Sequence, residues 1–260
     1  MMSNKINRLF SECGDRKLLS LYFCAGCPRR DMTADIILTL QREGIDMIEV
    51  GIPFSDPLAD GPVIQSAGTV ALKNGMTLEL LFAQLAAIKH EVHIPLVLMG
   101  YLNVVMHYGY ERFCRRCVEC GVSGFIIPDL PFDDYLRDIK PLCDCYDLRC
   151  IMMITPETSE ERIRFIDRHT DGFIYMVSSA SITGAQQSFD DAKQQYFRRI
   201  NDMHLHNPRM IGFGISNRQT LESARQNAAG AIIGSKFVSL LRETGDAQRA
   251  AEELKRALES

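Results

Sequence analysis

This sequence predicts an α/β protein of the (β/α)8 TIM-barrel form, with an extra helix at its N-terminus. Three observations predict it. Eight short apolar runs alternate with stretches of helical periodicity along 260 residues. The runs are apolar throughout instead of alternating with polar residues, as expected of strands whose outer face is covered by helices. No interdomain linker or short-period repeat interrupts the series, so residues 1–260 are expected to form one domain, a length such barrels commonly reach. A doubly wound open sheet is the alternative, but the first strand lacks the Gly-x-Gly-x-x-Gly turn that would favour it.

The elements follow in order. A helix over residues 5–13 precedes the first strand and would close the bottom of the barrel. The first strand is Leu-Leu-Ser-Leu-Tyr-Phe at 18–23, followed by helical periodicity over 31–43. The second, Met-Ile-Glu-Val at 47–50, leads through a Pro/Gly-rich loop towards a helix at 77–90. The third, at 96–99, is followed by a helix that ends at Gly121, and the fourth, at 124–127, by a helix over 133–146. A fifth strand at 149–154 precedes a helix at 159–168. The sixth lies at 173–177, the seventh at 210–212 with a helix at 219–228, and the eighth at 231–233.

Composition narrows the function. Hydrophobic residues make up 46% of the chain, enough for a sizeable core, and a net charge of −4 gives no electrostatic reason to expect nucleic acid or an anionic membrane. The N-terminal stretch has no apolar signal core, and no apolar run reaches the ~20 residues of a membrane span, so a soluble cytoplasmic protein is expected. Nine cysteines, an odd number, point to reduced thiols. Cys114, Cys117 and Cys120 have a metal-like spacing, but threefold steps along a helix make a stripe of thiols facing the core, and the fourth cysteine and following proline of an iron–sulfur run are missing. Cys143 with Cys145, and His204 with His206, are weaker still, and no metal site is expected.

Chemistry should sit where strands give way to loops. Glu49 lies in the second strand among apolar neighbours, where desolvation would raise its pKa and suit it to donate a proton. The loop that follows is stiffened by Pro53, Pro57, Gly61 and Pro62, so Asp60 is held in place, and Asp56 either caps a turn or faces a partner. Gly212 and Gly214 follow the seventh strand, Gly234 and Ser235 the eighth, and Thr183 and Gly184 the sixth. Glycines in those three loops let backbone N–H groups approach an anion, so a phosphorylated small molecule is expected there.

The segment Glu49-Val-Gly-Ile-Pro-Phe-Ser-Asp-Pro-Leu-Ala-Asp-Gly-Pro-Val-Ile-Gln65 closely resembles the signature of the tryptophan synthase α subunit family. The resemblance extends along the chain through Gly26-x-Pro28, Tyr101-x-Asn103, Pro128-Asp129-Leu130-Pro131, Tyr175, Thr183-Gly184, Gly212 to Ser216, and Gly234-Ser235. It implies cleavage of indole-3-glycerol phosphate to indole and glyceraldehyde 3-phosphate, inside an α2β2 complex whose β subunit carries pyridoxal phosphate. No cofactor is implied in this chain. By resemblance Glu49 is the acid–base residue, Asp60 binds the indole N–H, Tyr175 positions substrate, and the loop carrying Thr183 closes over the site. Pro53, Asp56 and Pro57, with Asp56 and Pro57 exposed, and Asp129 and Pro131 are expected to face the β subunit.

The chain also departs from the family pattern. Ser179 stands where an arginine is usual, Ser181 where a glycine is, and Val70 where an arginine is common. Cys24 and Cys27 replace a threonine and an aspartate. The acids survive while their surroundings change. Two readings follow: an active lyase subunit, or a weakly cleaving subunit whose main task is to bind and activate the β subunit.

Overall fold

The structure, a computed structural model, describes residues 4–177, 191–212 and 214–259. Eight parallel strands close into a barrel in chain order: β1 (Leu18–Cys24), β2 (Met47–Gly51), β3 (Leu96–Met99), β4 (Gly124–Ile126), β5 (Arg149–Ile154), β6 (Ile174–Val177), β7 (Arg209–Gly212) and β8 (Gly230–Ile233), with β8 pairing back onto β1. An N-terminal helix, α1 (Lys5–Glu12), comes first. Around the barrel follow α2 (Thr33–Arg42), α3 (Pro62–Lys73), α4 (Leu78–Ile88), α5 (Leu102–Tyr108), α6 (Tyr110–Glu119), α7 (Phe132–Asp134), α8 (Lys140–Tyr146), α9 (Glu160–His169), α10 (Asp191–Asp202), α11 (Arg218–Asn227), α12 (Ser235–Thr244) and α13 (Ala247–Glu259). No helix among the described residues is long and apolar enough to cross a membrane.

The bottom of the barrel is closed by α1. Asn4 caps it, its side-chain oxygen accepting from the Ile6 N–H at 2.9 Å, while its amide donates to the carbonyls of Ser123 and Asp147. Ile6 is fully buried beside Gly124, where an added Cβ would crowd it. Arg149, at the start of β5, donates to Asn7 at 2.7 Å and pairs with Asp147 and Asp171, latching helix to barrel.

A helix, α3, fills residues 62–73, where only a loop was expected before the helix at 77–90, and two expected elements take another form. The helix expected over 133–146 is interrupted by a π-turn at Tyr135–Ile139. Pro141 has no N–H to donate and its ring crowds the carbonyl four residues earlier, so the chain widens before α8 begins. Strand β2 runs on to Gly51, which places Glu49 inside the barrel. The cysteine stripe follows the helical reading: Cys114 and Cys117 lie on the buried face of α6, and the Cys120 thiol donates to the Phe82 carbonyl at 3.2 Å. Burial raises all three thiol pKa values, so these groups stay neutral and pack as small apolar side chains.

Candidate active site

Glu49 is fully buried, and among the described residues neither carboxyl oxygen has a hydrogen-bond partner or reaches solvent. Water stabilises the charged form of a carboxyl far more than an apolar wall does, and here that loss raises the pKa to about 8. The Ser20 hydroxyl of β1 pulls the other way, but no hydrogen bond of normal geometry joins the two, and it too is buried without a partner among the described residues. Glu49 is therefore protonated at neutral pH. A carboxylic acid in that state is ready to donate.

Asp60 stands across the mouth on the loop after β2. Its N–H donates to the Pro57 carbonyl at 3.1 Å, and its own carbonyl accepts from the Gln65 amide at 2.9 Å, so the backbone is fixed on both sides. Partial burial raises its pKa to about 6, against the opposing effect of the facing Tyr101 hydroxyl. Tyr101 also anchors the loop: it accepts from the Ala59 N–H at 3.0 Å and stacks on Phe54 with ring centroids 5.2 Å apart. The two acids are held in different protonation states by different surroundings, the arrangement general acid–base sites use.

Two tyrosines flank these acids. Tyr175, on β6, is buried; burial raises its pKa, and Glu49 and Asp60 add to the effect. A Cβ on Gly212, at the end of the neighbouring strand, would overlap the Tyr175 hydroxyl. Gly212 therefore makes room for this ring, a reason distinct from the anion contact expected of it. Tyr22 repeats the arrangement on β1: it pairs with Glu49 in register, and a Cβ on Gly51 would overlap its hydroxyl. Sequence reasoning missed Tyr22. The signal that could have found it is the alternation Leu18, Ser20, Tyr22, which sets all three on one face of β1.

The anion-binding end is described in part. Gly234 caps the N-terminus of α12 without a side-chain hydrogen bond, leaving first-turn N–H groups beside Ser235 open to a ligand. Gly214 adopts φ +76°, a left-handed conformation that most side chains disfavour. Thr183 and Gly184, with Ser179 and Ser181, lie outside the described residues. The loop after β1 turns from Cys24 to Cys27, and the Asn74 amide holds it by donating to the carbonyls of Gly26 and Pro28 at 2.8 and 2.9 Å. Cys24 and Cys27 are both buried there, their thiol pKa values raised by burial.

The residues expected at a partner surface share the same rim. Asp56 is exposed, its carboxylate accepting from the Ser55 hydroxyl, and Pro131 is exposed too. Asp129 accepts from the Leu102 N–H at 2.8 Å and so joins the loop after β4 to α5. Pro53 is half-buried. Pro57 is also half-buried, contrary to expectation, because its carbonyl closes the turn onto Asp60; the residue turned outwards is Leu58, at 86% exposure. Met106 on α5 is 57% exposed.

A closed parallel barrel with a neutral buried acid and a second, fixed carboxyl at its mouth has the form of a barrel enzyme. Comparison with known proteins gives the family. Residues 11–260 match the family described as tryptophan synthase alpha chain. The tryptophan synthase alpha chain of Phocaeicola vulgatus is 64% identical over 258 residues, 99% of this chain and 100% of that one. That of Bacteroides fragilis is 58% identical over 255 residues, 98% and 97% of the two chains. Among solved structures, Mycobacterium tuberculosis tryptophan synthase superposes with a TM-score of 0.88 at 28% identity, covering 99% of this chain and 98% of that one. A mutant tryptophan synthase alpha-subunit from Pyrococcus furiosus gives 0.83 at 32% identity, covering 94% and 96%. The chain belongs to the tryptophan synthase alpha chain family.

Proposed function

We propose that this chain cleaves indole-3-glycerol phosphate to indole and glyceraldehyde 3-phosphate, a carbon–carbon lyase step, with Glu49 and Asp60 as the reacting acids. The observation that carries the reading is the buried Glu49 carboxyl, without a partner among the described residues and protonated at neutral pH. Breaking the bond between indole C3 and the glycerol carbon would leave electrons on a poor carbanion. A proton from Glu49 to C3 makes the ring a leaving group, and the positive charge that develops on the indole nitrogen is stabilised by ionised Asp60. The Glu49 carboxylate then takes the proton of the side-chain hydroxyl as the aldehyde forms, which restores the starting acid.

Substrate phosphate would sit at Gly234 and Ser235, with Gly184 and Gly214 contributing amides. Replacing Gly234 by Asp tests this with little disturbance of the fold. Its φ of −111° lies outside the left-handed region that favours glycine, and the added Cβ meets Tyr22 only at an ordinary 3.6 Å. We expect the like charge to raise KM for the substrate at least ~10-fold, about 1.4 kcal/mol, with an unchanged melting temperature. An unchanged KM would reject the placement.

The family implies a tryptophan synthase β subunit as partner, and we take the assembly to be an α2β2 heterotetramer with pyridoxal phosphate in the β subunit. The loop carrying Pro53, Asp56, Pro57 and Leu58 and the segment from Asp129 to Pro131 are the proposed contact. The Phe54–Tyr101 stack and the Asp129–Leu102 hydrogen bond tie this rim to the loop that carries Asp60. Reversing the exposed charge with Asp56→Lys should weaken activation of the β subunit by about 10-fold, while changing stability by less than ~0.5 kcal/mol. Titration of β activity with wild-type and variant chains reads this directly.

A second reading, a weakly cleaving subunit that mainly activates its partner, is favoured by Ser179 and Ser181 and by Val70, which lies half-buried on α3 against the core. Steady-state cleavage with and without the β subunit separates the two. Turnover that climbs steeply with partner present supports the full lyase, and weak turnover in both cases beside intact β activation supports the second. Neither cleavage nor activation would overturn both.

A further inference from the structure

The Tyr22 hydroxyl stands among the reacting groups without an assigned task. Tyr22 pairs with Glu49 across the β1–β2 ladder, so both side chains project from the same face of adjacent strands about 4.8 Å apart. Its ring leans towards the mouth over Gly51, the only residue type that leaves space there, because a Cβ would overlap its hydroxyl. Asp60, Tyr101 and Glu49 all act on it electrostatically. Among the described residues no group hydrogen-bonds its hydroxyl, and the residue keeps 9% exposure where Glu49 has none. A tyrosine held over a glycine, beside two acids and with its donor unused, is placed to meet a ligand.

We propose that Tyr22 is a further substrate-contacting residue, its hydroxyl donating a hydrogen bond to the oxygen on the side-chain carbon bonded to indole C3. The inference rests on the cleavage proposed above. That oxygen must lie within reach of Glu49, which takes its proton, and Tyr22, its partner in register with a hydroxyl held over Gly51, faces the same space. Asp60 is committed to the ring nitrogen and to Tyr101, and the phosphate lies at the α12 end of the mouth. A hydroxyl oxygen can donate its own proton to Glu49 while accepting from Tyr22. Donation to that oxygen makes its proton easier to remove and holds the carbonyl oxygen as it forms. Tyr22 itself stays protonated, since burial and the surrounding acids disfavour a phenolate. It gives up no proton, and the balance of the reaction is unchanged.

The variant Tyr22→Phe keeps the ring and removes the donor. With the β subunit present, we expect kcat to fall ~10- to 100-fold and KM to stay within about threefold, as for an interaction strongest in the transition state. Binding of a substrate analogue that lacks the reacting hydroxyl supplies the control. The analogue has no acceptor at that carbon, so wild type and variant should bind it equally. Unchanged kcat overturns the assignment, and so does an analogue that binds the variant at least ~10-fold more weakly than wild type, which would assign Tyr22 to ring packing alone. If the variant melts lower, a reduced kcat beside equal analogue affinity, measured where both proteins are folded, still reads the hydroxyl. Wild-type protein that cleaves nothing would overturn the proposed reaction and this inference with it; active wild type beside an equally active variant overturns the inference alone.

Discussion

We expect Glu49→Gln to lower cleavage of indole-3-glycerol phosphate by at least ~10³-fold, within the range general acid–base catalysis supplies. The amide matches the carboxyl in shape but can neither give a proton to C3 nor take one from the hydroxyl. The barrel should survive. Among the described residues both carboxyl oxygens already lack partners, so the substitution breaks no hydrogen bond there. Near-normal turnover in this variant, with an active wild type, would remove Glu49 from the mechanism.

The same carboxyl makes stability depend on pH. Its folded pKa of about 8 lies above the ordinary 4.5, so the folded chain holds the proton more tightly than the unfolded one. The stability that comes from keeping Glu49 neutral is fully present below pH 4.5 and is lost as pH rises through about 8. The variant has no such group. Glu49→Gln and wild type should melt alike at pH 5, whereas at pH 9 the variant should be more stable by ~1–3 kcal/mol. Thermal melts at the two pH values check this, and a variant less stable at pH 9 would contradict the buried, unpaired acid.

Residue pattern reached Glu49 because its strand neighbours are apolar, and it reached the rigid loop because prolines and glycines punctuate it. It did not reach the depth of Glu49, since the strand continues through Gly51, a residue that also suits a turn. The pairing of Tyr22 with Gly51, and of Tyr175 with Gly212, depends on which residues face each other across strands far apart in the chain. That register is set by closure of the whole barrel. The identity of the outward residue in the partner loop failed for a smaller reason. Pro57 was expected to face outwards, but the turn it closes onto Asp60 half-buries it and turns Leu58 outwards instead.

The remaining large effect concerns Asp60, and it shows in a pH profile. The free enzyme needs Asp60 ionised to stabilise charge on the indole nitrogen and Glu49 protonated to donate to C3. With pKa values of about 6 and about 8, both conditions hold best near neutrality, so kcat/KM should rise with pH through the first value and fall through the second. Asp60→Asn keeps the size of the side chain and its place beside Tyr101 but loses the charge. We expect the variant's kcat/KM to fall ~10²- to 10³-fold and its rise below neutrality to vanish, leaving only the descending limb of Glu49. Rates measured from pH 5 to 9 on both proteins test the assignment in two independent ways, since a merely structural role for Asp60 would lower the rate without removing one limb. A variant that keeps the acid limb would assign the ionisation near pH 6 to another group and leave the indole nitrogen without its counter-charge.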